Sequence, residues 1–139
     1  MKVWNFTRKR LVPVNVRKYQ INWNEESCSK PQTLAKKLLK PYWHYYTILE
    51  EYRIPSSLYR IDFLNVNLRI AVEINPIQHH KFNKFFHRSR SGFHHQIAKD
   101  IKKIEWLEFN NFQILELNED DLNHFSPVYI EKTFGISII

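Results

Sequence analysis

The sequence predicts an α/β fold in which a mixed central sheet of about four strands is flanked by helices. Candidate elements occur in the order helix, three strands, helix and strand, and only a short turn separates the second strand from the third. The third strand, 68–75, is mostly apolar on both faces, as a buried central strand would be. The 139 residues are enough for one domain with a core but hardly for two.

Composition divides this single domain into a basic N-terminal arm over 1–30, a core over 31–120 and a C-terminal helix over 121–139. The arm is expected to be irregular, and two interpretations of it stay open. It packs on the domain as an edge strand and loop, or it lies along DNA, and both can hold. Its basic residues include Arg8, Lys9, Arg10, Arg17 and Lys18.

The first core helix is expected to begin after Ser29, a credible N-cap, with Pro31 in its first turn. Pro41 should interrupt or kink this helix, because proline lacks the N–H that an interior turn needs. The helix is then expected to resume through Trp43 and Tyr46.

The strands that follow are predicted at 47–54, 58–64, 68–75 and 112–117. The short connection makes the second and third strands an antiparallel hairpin. A helix is predicted over 93–110, with an inner face traced by Ile97, Ile101, Ile104 and Leu107 or Glu108. Ser126 and Pro127 open a final short helix that Gly135 closes.

Charge and composition favour a polyanionic partner. The formal net charge is +7 and the isoelectric point is about 9.5. Aromatic residues make up 15% of the chain, and rings near basic residues can stack on bases. Charge alone leaves a merely solvated cationic face as the alternative.

Several classes of protein are disfavoured. Cys28 is the only cysteine, which excludes an internal disulfide and a thiolate zinc site. No apolar run approaches the roughly 20 residues of a membrane span, and no signal peptide opens the chain. We therefore expect a cytoplasmic protein without membrane contact, and a homodimer stays open.

Two carboxylates stand within neighbouring apolar strands. Asp62 and Glu73 each need a reason to be there, because lone acids are rare in buried strands. Brought together at adjacent strand ends, they can hold a divalent metal. Taken singly, Asp62 could instead cap the turn after its strand, and Glu73 could pair with Arg60 or Arg69 at the surface.

Other polar residues extend this candidate site. His79 directly follows the third strand and suits a general base or phosphate contact, because the histidine pKa lies near working pH. Gln78 is a candidate beside it, and both could equally be surface residues. Glu50 or Glu51 could supply a third acid, although a solvated strand edge is the favoured interpretation for them.

Three short motifs occur in order: Asp62-Phe63, Glu73-Ile74-Asn75-Pro76-Ile77-Gln78-His79 and Asp100-Ile101-Lys102-Lys103. Together they resemble the PD-(D/E)XK nuclease superfamily, and most closely the branch of very-short-patch-repair endonucleases and related phage and bacterial nucleases. The resemblance covers roughly residues 30–120. It implies a restriction-endonuclease-like αβββαβ core and the activity of a metal-dependent DNA endonuclease.

The resemblance also implies roles for residues. Asp62, Glu73 and the carbonyl of Ile74 would hold one or two Mg²⁺ ions, with Mn²⁺ as an alternative. The catalytic set would be Asp62, Glu73, Asn75, Gln78, His79 and Lys103. Nicking, junction-resolving and homing-type cleavage stay open, as does a catalytically silent DNA-binding module on the same fold. A structural phage or ribosome-associated basic protein is a third interpretation.

One position departs from the superfamily pattern. Asn75 stands where many members carry lysine, and an amide can only donate and accept hydrogen bonds. His79, Lys99 or Lys103 is expected to take over the role of that lysine. Asp100 could be a structural ion-pair partner of Lys103 on the helix face.

The segment 80–90 interleaves basic residues with aromatic ones. A long loop in a small domain is often functional, and this one leaves the candidate site directly. We expect its basic residues to bind DNA phosphates, unless its phenylalanines simply tuck into the core. The predicted DNA-binding residues are His80, Lys81, Lys84, His87, Arg88 and Arg90.

Overall fold

The computed structural model of the protein describes residues 1–74 and 101–139. In chain order the elements are β1 (Lys2–Trp4), β2 (Leu11–Pro13), α1 (Val16–Tyr19), α2 (Lys30–Trp43), β3 (Ile48–Arg53), β4 (Arg60–Asn65), β5 (Ile70–Ile74), α3 (helical residues 101–109), β6 (Gln113–Leu117), α4 (Glu119–Asn123) and α5 (Pro127–Phe134). No helix in these two ranges is long and apolar enough to cross a membrane.

The main sheet has four strands in the order β3-β4-β5-β6. β3, β4 and β5 are antiparallel neighbours, whereas β5 and β6 pair in parallel. The predicted α/β class, the mixed four-stranded sheet, its flanking helices and the β4–β5 hairpin are therefore confirmed. β5 lies between two partners, which explains why its sequence is apolar on both faces.

Helices cover both faces of this sheet. One face packs against α2, α4 and α5 through a cluster that includes Leu39, Trp43, Phe63, Leu115 and Ile130. The other face packs against α3 and the N-terminal segment through a cluster that includes Val3, Leu64, Ala71, Trp106 and Leu107. In β5 and β6, alternate residues thus supply two separate cores.

Local signals at the helix ends are confirmed. The Ser29 side chain accepts a hydrogen bond from the Gln32 N–H, and Ser126 accepts one from the Tyr129 N–H. Gly135 closes α5 with a φ of +71°, a left-handed value that glycine adopts without strain. Pro41 lies inside α2 and does not end it. The helix stops at Trp43 and does not include Tyr46.

The first thirty residues are more regular than predicted, and they pack on the domain. β1 and β2 form an antiparallel pair, and α1 adds one helical turn. Val3 is buried, the Trp106 indole N–H donates to the Trp4 carbonyl, and the Trp4 N–H donates to Asn110 Oδ1. A packed edge strand was one of the two open interpretations, but the pairing of β1 with β2 was not predicted, because both strands are three residues long and mostly exposed.

The predicted inner face of α3 is confirmed at Leu107 and wrong at Ile101. Ile101 is 47% exposed, whereas Trp106 and Leu107 are buried. Lys103 lies one helical turn before them, on the same inward row. The error has a physical cause: an inward lysine breaks the apolar period on which the prediction depended.

The C-terminal region has two helices where one was predicted. The additional helix, α4, begins with a capping box in which Asn118 and Asp121 each accept the other's backbone N–H. Its first turn contains three consecutive acids, which stabilise the positive end of the helix dipole. Those acids had concealed the helix, because they resemble a solvated loop.

Candidate active site at one end of the central sheet

Asp62 and Glu73 face each other at one end of the sheet. Phe63 pairs with Val72, and Asp62 and Glu73 are the next residues along the two antiparallel strands. The Ile74 N–H donates to Asp62 Oδ2 at 2.8 Å, and the Asp62 N–H donates to Glu73 Oε2 at 3.4 Å. Each carboxylate is therefore held against the backbone of the neighbouring strand, which fixes the pair rigidly.

A cation from α3 reaches this pair. Lys103 Nζ lies 2.5 Å from Glu73 Oε1, with side-chain exposures of 20% for the lysine and 12% for the glutamate. Trp106 and Leu107 pack α3 on the sheet and so position the lysine. Of the predicted catalytic residues that are described, the structure brings all three, Asp62, Glu73 and Lys103, to one place.

The alternative partners considered for the two acids are engaged elsewhere. Arg60 lies 3.9 Å from Glu51, and Arg69 donates to the Asn110 carbonyl at 3.1 Å. The turn after β4 is capped by asparagine: Asn65 Oδ1 accepts the Leu68 N–H. Neither of the purely local explanations for Asp62 and Glu73 is what the structure shows.

The two carboxylates repel each other in a poorly solvated place. Burial, reinforced by the Asp62 charge, raises the pKa of Glu73 to about 8, although Lys103 acts in the opposite direction. Burial also raises the pKa of Asp62, against the lowering influence of the Ile74 N–H and of Lys103. Two buried carboxylates with one lysine therefore retain a proton near neutral pH, and a cation would relieve the same repulsion.

One oxygen of the pair is poorly satisfied. Glu73 Oε1 is buried, and beyond its ion pair with Lys103 no hydrogen bond reaches it within residues 1–74 and 101–139. A buried carboxylate oxygen normally accepts at least one such bond. A metal ion bound at this oxygen would therefore compete with the Lys103 ammonium.

The donor set suits a hard divalent cation. Carboxylate oxygens are the ligands of Mg²⁺ and Mn²⁺, and Mg²⁺ is often held by only one or two carboxylates with waters and substrate phosphates. Among the described residues no group of three or more histidine, cysteine or acidic side chains could hold a metal. Asp62 and Glu73 fit the two-carboxylate kind of site, and the ligand role of the Ile74 carbonyl stays a prediction.

Sequence reasoning considered Glu50 and Glu51 but missed the contacts that hold them. The Gln32 amide donates to both Glu50 Oε2 at 3.1 Å and Glu51 Oε1 at 3.0 Å, so α2 holds the acids of β3. Glu51 has a φ of +54°, and its charge adds to the rise in the Asp62 pKa. These interactions join residues far apart in sequence, and no local pattern signals them.

The solvated edge expected for the β3 acids is wrong for Glu50. Its side chain is 16% exposed and lies 2.7 Å from Lys36 Nζ, which is itself 3% exposed. On the far side of the pair, Glu116 of β6 is the register partner of Glu73 and was not anticipated. Finding it requires the strand order, because β5 and β6 are distant in the chain.

The remaining predicted site residues lie outside the described residues. These are Asn75, Gln78, His79, His80, Lys81, Lys84, His87, Arg88 and Arg90, together with the alternatives Lys99 and Asp100. Their roles stay predictions.

Comparisons of the chain with protein-family models, curated proteins and solved structures found no match. The geometry and electrostatics of the site are therefore the basis for assigning a function.

Proposed function

We propose that the protein is a metal-dependent DNA endonuclease that hydrolyses phosphodiester bonds at Asp62 and Glu73. One observation carries the proposal: two carboxylates face each other on adjacent strands and one of them, Glu73, lies 2.5 Å from a lysine, in a chain of net charge +7. Carboxylates that hold a divalent cation beside a lysine are suited to phosphoryl chemistry. The restriction-endonuclease-like identity of the αβββαβ core belongs to the same proposal, and the element order supports it.

The site residues would have different roles in the reaction. Asp62 and Glu73 would hold Mg²⁺ or Mn²⁺, which when bound lowers the pKa of a water and offsets phosphate charge. Glu73 must lose its proton to act as a ligand, and its raised pKa means that cation binding competes with protonation. Lys103 is placed to donate to a phosphoryl oxygen as negative charge develops there.

Lys103 also accounts for the departure at Asn75. The superfamily lysine would stand two residues after Glu73, where this chain has a neutral amide. An ammonium reaches the same glutamate from α3 instead. We therefore assign the role of the missing lysine to Lys103.

A catalytically silent DNA-binding module is the second candidate. The Lys103–Glu73 ion pair is the observation that favours it, because a lysine that permanently neutralises Glu73 could replace a metal. Such a protein would bind DNA through its positive charge and cleave nothing, so an assay of cleavage separates the two functions.

The test is cleavage of supercoiled plasmid and of branched DNA in Mg²⁺ and in EDTA. We expect cleavage in Mg²⁺ alone, and roughly a hundredfold or greater loss in Asp62→Asn and in Glu73→Gln. Asp120→Asn and Glu131→Gln are matched controls, because they make the same chemical changes at exposed acids of α4 and α5. Full activity in either site variant, or cleavage that persists in EDTA, would contradict the proposal.

A further inference from the structure

Three consecutive basic residues form the connection between β1 and β2. We call residues Thr7–Arg10 the basic turn; Arg8, Lys9 and Arg10 within it are all exposed. An exposed run of like charge is ordinarily a flexible, solvated segment. This one is held in a single conformation, which calls for a different explanation.

Asn5 is the residue that holds the basic turn. It is 7% exposed, and its Oδ1 accepts from the Lys9 N–H at 3.0 Å, the Arg10 N–H at 3.3 Å and the Thr7 hydroxyl at 3.2 Å. Its own N–H donates to the Arg10 carbonyl at 2.8 Å. Arg8 has a φ of +61°, a strained value for arginine that the surrounding hydrogen bonds maintain.

The basic turn is also anchored to the rest of the protein. The Phe6 N–H donates to the Pro55 carbonyl at 2.8 Å, and Asn5 Nδ2 donates to Ser56 Oγ at 3.3 Å. The Arg8 guanidinium lies 5.0 Å from the centre of the Phe109 ring. The backbone entropy of the turn is therefore already lost before any partner binds.

These anchors place the basic turn at the same end of the sheet as the carboxylate pair. Pro55 and Ser56 belong to the turn between β3 and β4, and Asp62 follows near the start of β4. The end of β5, with Glu73, lies beside the start of β4 because the two strands are antiparallel. The turn and the pair thus share one end of the molecule.

Helix α3 lies between the basic turn and the pair. A cleft of about 370 Å³ separates the turn from the helix, lined by Phe6, Thr7, Arg8, Lys102, Glu105 and Trp106. Lys103, the next residue after Lys102, contacts Glu73. A helix is ~10 Å across, which corresponds to about three nucleotide steps along one DNA strand.

Most of the positive charge on the turn is not neutralised by neighbouring acids. Arg8 lies 3.6 Å from Glu105, whose side chain is 59% exposed. Within residues 1–74 and 101–139, Lys9 and Arg10 have no acidic partner within 4.0 Å. Fixed cations at a short distance from a phosphodiester-hydrolysing site are complementary to the phosphates flanking the bond that is cut.

We propose that the basic turn binds the phosphate backbone of duplex DNA a few nucleotides from the carboxylate pair. This inference rests on the proposed function, which supplies DNA as the polyanion. The turn binds phosphates without sequence preference, so it sets the register of the duplex on the protein.

The experiment measures duplex binding against salt concentration in EDTA, for wild type and for Arg8→Gln/Lys9→Gln/Arg10→Gln. The slope of log affinity against log salt should shrink by roughly 0.9 for each phosphate interaction removed, or roughly 2.7 for three. The weakening should be equal for unrelated DNA sequences. Lys37→Gln/Lys40→Gln/Lys132→Gln removes the same charge from exposed positions on α2 and α5, across the sheet, and should leave the slope close to that of wild type.

Equal slopes in the turn variant and in wild type would overturn the inference, as would equal weakening in the two triple variants. A weakening confined to duplex RNA of the same sequence would also overturn it, because the partner would then be RNA. These outcomes are independent of the cleavage assay. A protein that binds DNA through the turn but cuts nothing keeps this inference and loses the proposed function.

The Asn5→Ala variant tests the rigidity of the basic turn separately from its charge. The net charge of the protein is unchanged, but the basic turn loses three hydrogen bonds to Oδ1. We expect weaker duplex binding, by about three- to tenfold, without a change in global folding measured by circular dichroism. Wild-type affinity in a folded Asn5→Ala protein would contradict the role of a pre-arranged turn.

Discussion

Two buried lysine–glutamate ion pairs lie on opposite faces of the sheet, and they are satisfied very differently. Lys36 of α2 lies 2.7 Å from Glu50 of β3 and also donates to the carbonyls of Asn22 and Glu25. Glu50 in turn accepts from Ser27 at 2.5 Å and from Gln32. Nearly every donor and acceptor of this pair has a partner, which is typical of an ion pair with a structural role.

The pair of Lys103 and Glu73 has fewer hydrogen-bond partners. A second carboxylate, Asp62, crowds it, and Glu73 Oε1 has no further hydrogen bond among the described residues. The same two residue types thus form a closed structural pair on one face and an unbalanced charge cluster on the other. Crowded charge, and not ion pairing as such, is therefore the feature on which the proposed site depends.

The largest expected effect follows from mutation of the structural pair, Lys36 and Glu50. Lys36→Met leaves Glu50 buried without its cation, and removal of one partner of a buried pair costs about 3–5 kcal/mol. Urea denaturation monitored by circular dichroism measures the free energy of unfolding. A decrease in the free energy of unfolding of less than about 1 kcal/mol would show that the pair of Lys36 and Glu50 does not have this structural role.

The second prediction concerns Lys103→Met, the counterpart in the site. Stability should change much less, because Glu73 can bind a proton when its cation is removed. Cleavage should fall by roughly a hundredfold or more, since a donor to the developing charge is gone. The distinction between the two pairs fails if Lys103→Met destabilises the fold as severely as Lys36→Met.

The third and smallest effect is a dependence of stability on pH. The pKa of Glu73 is raised from 4.5 to about 8, so the native state binds more protons than the unfolded state between those values. The free energy of unfolding should therefore fall as pH rises from about 5 to about 8.5, by less than the ~1.4 kcal/mol per pH unit that release of one full proton would give. Glu73→Gln should flatten this decline, whereas Glu131→Gln, at an exposed acid, should not. A free energy of unfolding that rises over this pH range in wild type would contradict the raised pKa of Glu73.

The features that the sequence predicted best depend on local chemistry. Ser29, Ser126 and Gly135 mark helix ends through interactions within a few residues, and the hairpin follows from a short turn. The meeting of Asp62 and Glu73 could be predicted for the same reason, because hairpin register brings facing positions together.

The features that escaped prediction depend on residues distant in the chain. Lys36 lies on an inward helix face and is tolerated only because β3 supplies Glu50. Lys103 was predicted to belong to the site, but its position on the inward face of α3 was not predicted. Glu116 is brought beside Glu73 only through the parallel pairing of β5 with β6. Asn5 organises the basic turn through hydrogen bonds that no composition rule describes.

The central claim is that Asp62 and Glu73 bind a divalent metal, and calorimetric titration with Mn²⁺ tests it most directly. Measurements near neutral pH in a pair of buffers of different ionisation enthalpy report both binding and the protons released. Wild type should bind Mn²⁺ and release protons, because the cation displaces the proton that the crowded pair retains. Asp120→Asn/Glu131→Gln should behave like wild type, and Asp62→Asn/Glu73→Gln should lose binding. Equally tight binding of Mn²⁺ by Asp62→Asn/Glu73→Gln would contradict the claim.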